Sequence, residues 1–131
     1  MRSFNLPAGC QMRISATMEP KTLSRHRWSV ALFAVGDVAG KADPRANYGS
    51  RIAGGETQRI NAGPVDVDCI CEVTSSHQLD ERWEADQDQV TLDAADDFVV
   101  RFHRSTSEAG ASPSEDCTLS FEFSPPRAAH G

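Results

Sequence analysis

The segment 65–73 alternates strictly between apolar and polar positions, and this pattern constrains the fold more than any other feature of the chain. One side of an extended chain would carry Val65, Val67, Cys69, Cys71 and Val73, and the other Asp66, Asp68, Ile70 and Glu72. A period of two residues is typical of a β-strand with one face in the core and one in water. The segment therefore predicts a half-buried strand.

Three further segments show the same alternation, at 10–18, 98–102 and 117–123. Shorter β-prone pieces lie between Gly- and Pro-containing turns, at 28–35, 48–53, 57–61, 82–85 and 89–92. No apolar stripe has helical spacing. We therefore predict an all-β fold, an antiparallel β-sandwich of jelly-roll or Ig-like type with about seven to nine short strands, and an open β-barrel as the alternative.

The same alternation predicts which side chains form the core. The expected core residues are Ile14, Val67, Phe98, Val100, Phe102, Leu119 and Phe121. The run 28–35 is apolar or small on both sides, which predicts a central strand covered on both faces. The polar residues 75–77 predict that the chain leaves the sheet after Val73.

The length of 131 residues suits one domain, which we place at 1–124, followed by a flexible C-terminal tail at 125–131. We also place the last strand beside the first in one sheet. The chain has no run of about 18 apolar residues, so we expect no transmembrane segment. Its N-terminus lacks the apolar core of a secretion signal, and we expect a cytoplasmic protein, with secretion by another route as the alternative.

The net charge of -6 argues against nucleic-acid binding. The charge is uneven: residues 1–60 hold nine Lys and Arg against four Asp and Glu, and residues 61–131 hold four against fifteen. We expect the two halves to attract each other weakly within one sandwich. A basic and an acidic patch is the sharper alternative, and either such patches or edge strands offer a route to oligomers.

The four cysteines lie in phase with apolar neighbours, at Cys10, Cys69, Cys71 and Cys117. Unpaired cysteine is a common core residue, so buried thiols are the favoured interpretation. A disulfide and a soft-metal site built on Cys69, Cys71 and His77 are the alternatives. A Cys–His catalytic pair using His26, His77 or His103 is formally open, but the cysteines look buried and their surroundings acidic.

The stretch 80–97 holds eight acidic residues against the single basic residue Arg82. Carboxylates at Asp86, Asp88, Asp93 and Asp96 can gather oxygen ligands for Ca²⁺, although the Gly and closing Glu of an EF-hand are missing. A solvated acidic edge that blocks pairing with other sheets is the plainer interpretation. We therefore expect no cofactor, with Ca²⁺ as the alternative.

Arg25 and Arg27 lie beside Trp28, and Trp83 lies in a polar stretch. Basic side chains can hold an anion, and an exposed Trp can stack on a sugar or anchor a protein. The plain alternatives are a solvent-exposed loop for the basic residues and a half-buried edge-strand position for Trp83. We expect partner binding at Trp83, Arg25 and Arg27.

The chain has no Gly-x-Ser-x-Gly elbow, Gly-rich phosphate loop or His-Glu-x-x-His motif, so an enzyme is not the favoured interpretation. The leading hypothesis is a non-enzymatic binding or accessory module that recognises a protein or glycan through loops and an exposed face. A Ca²⁺-assisted carbohydrate- or lipid-surface-binding domain is the second, and a small hydrolase is the third.

Overall fold

The computed structural model describes residues 2–37, 43–92, 98–103 and 116–124, with the backbone alone described at 37, 79, 87–92, 98 and 103. These residues form ten strands and one 3-10 turn, Val35–Asp37. The strands are β1 Arg2–Leu6, β2 Gln11–Met18, β3 His26–Ala34, β4 Ala46–Ile52, β5 Thr57–Ala62, β6 Cys69–Leu79, β7 Arg82–Ala85, β8 Gln87–Leu92, β9 Phe98–His103 and β10 Asp116–Ser124.

The strands form two five-stranded sheets in which every pair is antiparallel. The front sheet has the order β1-β6-β3-β4, with β7 pairing on the same edge of β6 as β1 but further along it. The back sheet has the order β5-β2-β10-β9-β8. The predicted antiparallel β-sandwich is therefore confirmed, and the described strands form two separate sheets rather than a barrel.

Alternating side chains of both sheets fill the space between them. The inner face of β2 buries Met12, Ile14, Ala16 and Met18, and that of β10 buries Cys117, Leu119, Phe121 and Phe123. Opposite them lie alternating residues of β3 and β6, from Trp28 to Leu32 and from Cys69 to Val73. Burying such side chains contributes about 1.5–3 kcal/mol each, which makes this interface the main source of stability.

The predicted core is confirmed at the residues whose side chains the structure describes. Ile14, Val100, Phe102, Leu119 and Phe121 are buried, and Val67 is half-buried against the cluster. The side chain of Phe98 lies outside the described part. The predicted burial of all four cysteines is also confirmed.

The predicted strand 65–73 is wrong at its first half. Residues 65–68 cross from the back sheet to the front sheet, and the strand begins at Cys69 and continues to Leu79. The crossing segment is held by other bonds: Gly9 N donates to Val65 O at 2.7 Å, and Ala8 N donates to Asp68 Oδ1 at 2.8 Å. It keeps an alternating pattern because Val65 and Val67 still pack on the core.

Two further expectations about the sheets are wrong. The last strand, β10, lies between β2 and β9, while β1 is on an edge of the front sheet. β10 and β1 meet across the sandwich instead, where the Phe4 ring packs edge-on against Phe121 at 5.0 Å. β3 is central in its sheet, as predicted, but only its inner face is fully buried, since Ser29, Ala31 and Phe33 on the outer face are half-buried.

No helix in the described part of the chain is long and apolar enough to cross a membrane. The predicted tail 125–131 lies outside the described residues.

Candidate functional site

The outer face of the front sheet carries a cluster of polar side chains brought together by strand register. Arg27 on β3 pairs with Ser76 on β6 and with Arg51 on β4. Because alternate residues share a face, Ser29 and Thr74 lie on the same outer surface. The front sheet thus presents hydroxyl and guanidinium groups to solvent above an apolar inner face.

A groove of about 730 Å³ lies across this face. Ten of the described residues line it: Arg27, Trp28, Ser29, Asn47, Tyr48, Gly49, Ser50, Arg51, Thr74 and Ser76. None of these described lining residues is an Asp, Glu, His or Cys. The groove can therefore donate and accept hydrogen bonds, but it offers no general base or nucleophile of those types.

Two contacts orient the Arg27 side chain at the groove. Its Nε donates to Ser76 Oγ at 3.1 Å, and its guanidinium carbon lies 4.2 Å from the centre of the Trp83 ring. The guanidinium of Arg51 lies 5.8 Å from the same ring. A cation above an indole face is stabilised by the ring quadrupole, so Trp83 holds Arg27 in a fixed orientation.

The floor of the groove is tied to the interior. Trp28 is buried at 2% exposure, and its Nε1 donates to Gln58 Oε1 at 2.7 Å. Ser50 Oγ donates to the same oxygen at 2.7 Å, while Gln58 Nε2 donates to the carbonyl of Arg51 at 2.9 Å. These bonds fix the backbone that carries Arg51.

Gly49 allows β4 to lie close against β3 under the groove. Its φ is 149°, and a Cβ added there would lie 2.1 Å from the carbonyl oxygen of Trp28. No side chain fits at that distance, so glycine is required at this position. Because Gly49 has no side chain, the groove wall has a gap between the side chains of Asn47 and Arg51.

Of the three residues predicted to bind a partner, the structure brings two together. Arg27 and Trp83 are in contact, whereas Arg25 lies in a neighbouring depression of about 440 Å³. Arg51 lines both depressions, and Leu23, which is 94% exposed, lies on the second one. Arg51 was missed because an isolated Arg near a turn has no distinctive sequence pattern.

A second polar cluster lies inside the sandwich, directly behind the groove. Asp86 follows β7, where the chain passes from the front sheet to the back sheet, and its carboxylate is fully buried. Ser75 Oγ donates to Oδ2 at 2.7 Å, and His77 Nδ1 lies 2.6 Å from Oδ1. His26 Nδ1 lies 3.6 Å from Oδ2, longer than a hydrogen bond.

The surroundings of Asp86 favour its ionised form. Burial raises its pKa, but contacts with His26, Ser75 and His77 outweigh burial and leave the pKa below the ordinary value. Burial, followed by the nearby charge of Asp86, raises the pKa of Cys117 to about 12, against a smaller opposing effect of the Ser75 hydroxyl. A thiol with that pKa is a poor nucleophile at neutral pH.

This interior cluster does not have the arrangement of a nucleophile with its base. The Ser75 hydroxyl donates to the carboxylate rather than to an imidazole, and both Ser75 and His77 are 3% exposed. The cluster instead satisfies buried polar groups between two sheets. A buried carboxylate is stable only when it is paired and hydrogen-bonded in this way.

The sequence interpretation placed 75–77 in a loop because the residues are polar. They continue the alternation of β6, so Ser75 and His77 point inward after Cys69, Cys71 and Val73. His26 is in phase with Trp28 in the same manner. The position of these residues in the alternation of each strand, rather than their polarity, is the sequence signal that would have located them.

The structure describes only one of the four predicted calcium ligands in full. Asp86 is engaged by the interior cluster, while the side chain of Asp88 and all of Asp93 and Asp96 lie outside the described part. Among the described residues, no group of three or more His, Cys, Asp or Glu side chains is placed to hold a metal ion. The calcium site stays a prediction.

No protein-family model matches the chain, and no curated protein matches it. Among solved structures, the chain is similar to the lectin CV2L of Chromobacterium violaceum, solved with alpha-methyl-fucoside. The identity is 15%, over 90% of this chain and 93% of that one, with a TM-score of 0.44. It is also similar to the C-terminal domain of the BC2L-C lectin from Burkholderia cenocepacia, at 14% identity over 90% and 92% of the chains and a TM-score of 0.41. Similarity this distant assigns neither a ligand nor a binding site.

Proposed function

We propose that the protein is a non-enzymatic module that binds a glycan in the groove on the outer face of its front sheet. The observation that carries the proposal is the groove itself, with its hydroxyl, amide and guanidinium lining beside a tryptophan. A sugar ring has hydroxyls around its rim and C–H groups on its faces. Such a ligand matches polar side chains next to an aromatic ring.

The side chains of the groove favour a glycan over a protein partner. Protein interfaces obtain most of their binding energy from large apolar or aromatic anchors that become buried. Half of the described lining residues are instead small and polar, such as Ser29, Thr74 and Ser76, and the indole of Trp28 is already buried in the core. Asn47 Oδ1 accepts a hydrogen bond from Ser29 Oγ at 3.0 Å, which orients the amide before any ligand arrives.

The lining also favours binding without hydrolysis. Glycoside hydrolysis generally uses a pair of carboxyl groups on either side of the scissile bond. The described residues that line the groove include no carboxylate, and the carboxylate of Asp86 is buried on the opposite face of the sheet. A bound saccharide would therefore dissociate from the groove without being hydrolysed.

Intrinsic fluorescence tests the proposal on the native protein. The chain has two tryptophans, Trp28 in the floor of the groove and Trp83 beside it, so a change in fluorescence on adding ligand reports on the groove. Candidate saccharides are first selected on an immobilised glycan set and then titrated in solution. We expect saturable binding that is weakened by Trp83→Ala and by Asn47→Ala.

Asn61→Ala is the matched control, because Asn61 is exposed on β5 of the back sheet. It should leave binding unchanged. Binding that is lost equally in Asn61→Ala would place the site elsewhere. Absence of binding to every glycan in the set, together with capture of a specific protein, would replace this proposal with a protein partner.

A further inference from the structure

We infer that the groove selects acidic saccharides, and that Arg27 and Arg51 together hold a carboxylate of the sugar. The inference rests on the glycan-binding function proposed above and specifies its ligand class. It follows from the placement of the two arginines, the absence of a counter-ion for them among the described residues, and the way Arg27 is held in position.

Arg27 and Arg51 are direct cross-strand partners on β3 and β4. Side chains in such positions have Cβ atoms roughly 5 Å apart, and like charges placed there repel each other. A sequence under selection for stability alone would place an acidic or neutral residue opposite Arg27. Local conflicts of this kind occur at functional sites, where a ligand supplies the missing charge.

The arginines lack a counter-ion within the part of the chain that the structure describes. Neither Arg27 nor Arg51 forms a salt bridge there, whereas Arg82 pairs with Glu84 at 3.5 Å. The acidic residue of β6 on this face, Glu72, lies four residues along the strand from Ser76. Positive charge is therefore concentrated at the Arg27 end of the groove.

The contacts of Arg27 leave one edge of its guanidinium for a ligand. Ser76 Oγ accepts from Nε, and the Trp83 ring covers one face of the group. The two terminal nitrogens remain, and together they match the two oxygens of a carboxylate. Because Trp83 and Ser76 already fix the side chain, less rotamer entropy is lost on binding.

The remaining lining matches the rest of a uronic or similar acidic sugar. Ser29, Asn47 and Thr74 lie along the groove from the arginine pair and offer hydroxyl and amide groups to the sugar hydroxyls. A sulfated sugar shares the anionic chemistry but presents a tetrahedral group, so the experiment includes it as a separate arm. An acidic peptide is the competing class of macromolecule.

The test compares saccharides that carry a carboxylate with counterparts that lack the charge. Calorimetry is performed with oligogalacturonate and with the same oligosaccharide methyl-esterified, which removes the carboxylate charge and little else. Sialyllactose against lactose is a second pair. A carrageenan oligosaccharide, which carries sulfate and no carboxylate, is the sulfated arm, and oligoglutamate is the peptide arm. We expect at least one acidic member to bind at least tenfold more tightly than its neutral counterpart, with affinity falling as salt is raised.

Arg27→Gln and Arg51→Gln should each weaken binding of the acidic sugar by roughly 10- to 100-fold. Arg59→Gln removes the same charge from an exposed position on β5 of the back sheet and should have no effect. Circular dichroism and melting temperature establish that each variant is folded.

The outcomes separate the two proposals. Equal affinity for the charged and neutral members would overturn the acidic-sugar inference and leave glycan binding standing. Binding of the carrageenan oligosaccharide alone would also overturn the carboxylate assignment. Binding of oligoglutamate with no saccharide bound would reject both proposals, as would binding that Arg59→Gln weakens as much as Arg27→Gln does.

Discussion

Nδ1 of His77 lies 2.6 Å from Oδ1 of Asp86, with both side chains almost completely buried, and Ser76, the residue before His77, faces the groove on the other side of the sheet. The same alternation places His26 inside and Arg27 outside on β3. Asp86 directly follows β7, the strand that carries Trp83. The interior cluster therefore anchors the three strands that position Arg27, Ser76 and Trp83.

Asp86→Asn should destabilise the fold by about 1–3 kcal/mol, because the amide cannot accept hydrogen bonds from both Ser75 and His77 on two equivalent oxygens. The free energy of unfolding in urea measures the loss. Asp66→Asn is the matched control: the Asp66 side chain is 84% exposed, and its one ion pair among the described residues is with a half-exposed Arg45 at 3.8 Å, so its loss should cost less than about 0.5 kcal/mol. Equal stability of the two variants would contradict a structural role for the cluster.

The unfolding free energy should also fall on acidification. The pKa of Asp86 is lower in the folded protein than the ordinary value, so the unfolded chain takes up a proton first. The stabilisation is therefore complete above the ordinary carboxyl range near pH 4 and is lost as the pH falls through the folded pKa below it. Unfolding measured between about pH 2 and pH 5 should show a smaller acid slope for Asp86→Asn than for the wild type. Parallel slopes would mean that other carboxylates cause the acid sensitivity.

Gly49→Ala should disrupt the pairing of β3 with β4. The backbone there has a φ of 149°, and the new methyl would meet the Trp28 carbonyl, so the strands must separate. The strained conformation alone costs about 1–3 kcal/mol, before the contact is counted. Gly36→Ala is the control, because nothing lies within 4 Å of a Cβ added at that position. A melting temperature equal to that of Gly36→Ala would show that β4 can shift without loss.

Strand periodicity predicted most of the sheet structure because an inner and an outer face differ in polarity at almost every step. β7 was predicted with the observed bounds, Arg82–Ala85, and β10 within one residue at each end. Prediction from strand periodicity failed where a buried position carries a polar side chain. Ser75 and His77 look like loop residues until the phase of β6 is continued, and their partner Asp86 looks like an acidic surface residue.

The groove was less predictable than the fold because it depends on pairing between distant segments. Arg27 and Trp83 were both singled out, but their contact requires β3, β6 and β7 to be neighbours in one sheet. Local sequence does not determine strand order. The error at 65–68 has the same cause. Alternation shows which side chains turn inward, but the hydrogen-bond partners of the backbone depend on distant segments of the chain.

Cys117 should react with iodoacetamide only through unfolding of the native protein. Its side chain is buried, and its pKa is raised to about 12, mainly by burial and then by the charge of Asp86. Alkylation at pH 8, followed by peptide mass spectrometry, should therefore be slow in native buffer and fast in urea. When the reagent reaches the thiol only in the unfolded protein, the alkylation rate follows the equilibrium population of unfolded chain. A loss of about 1–3 kcal/mol in Asp86→Asn then predicts a roughly 5- to 150-fold faster reaction of Cys117, while Asp66→Asn should react at nearly the wild-type rate. If Asp86→Asn lowers the free energy of unfolding and the rate at Cys117 does not rise, the reagent reaches the thiol through a local opening, and Cys117 is less firmly enclosed between the sheets than its burial indicates.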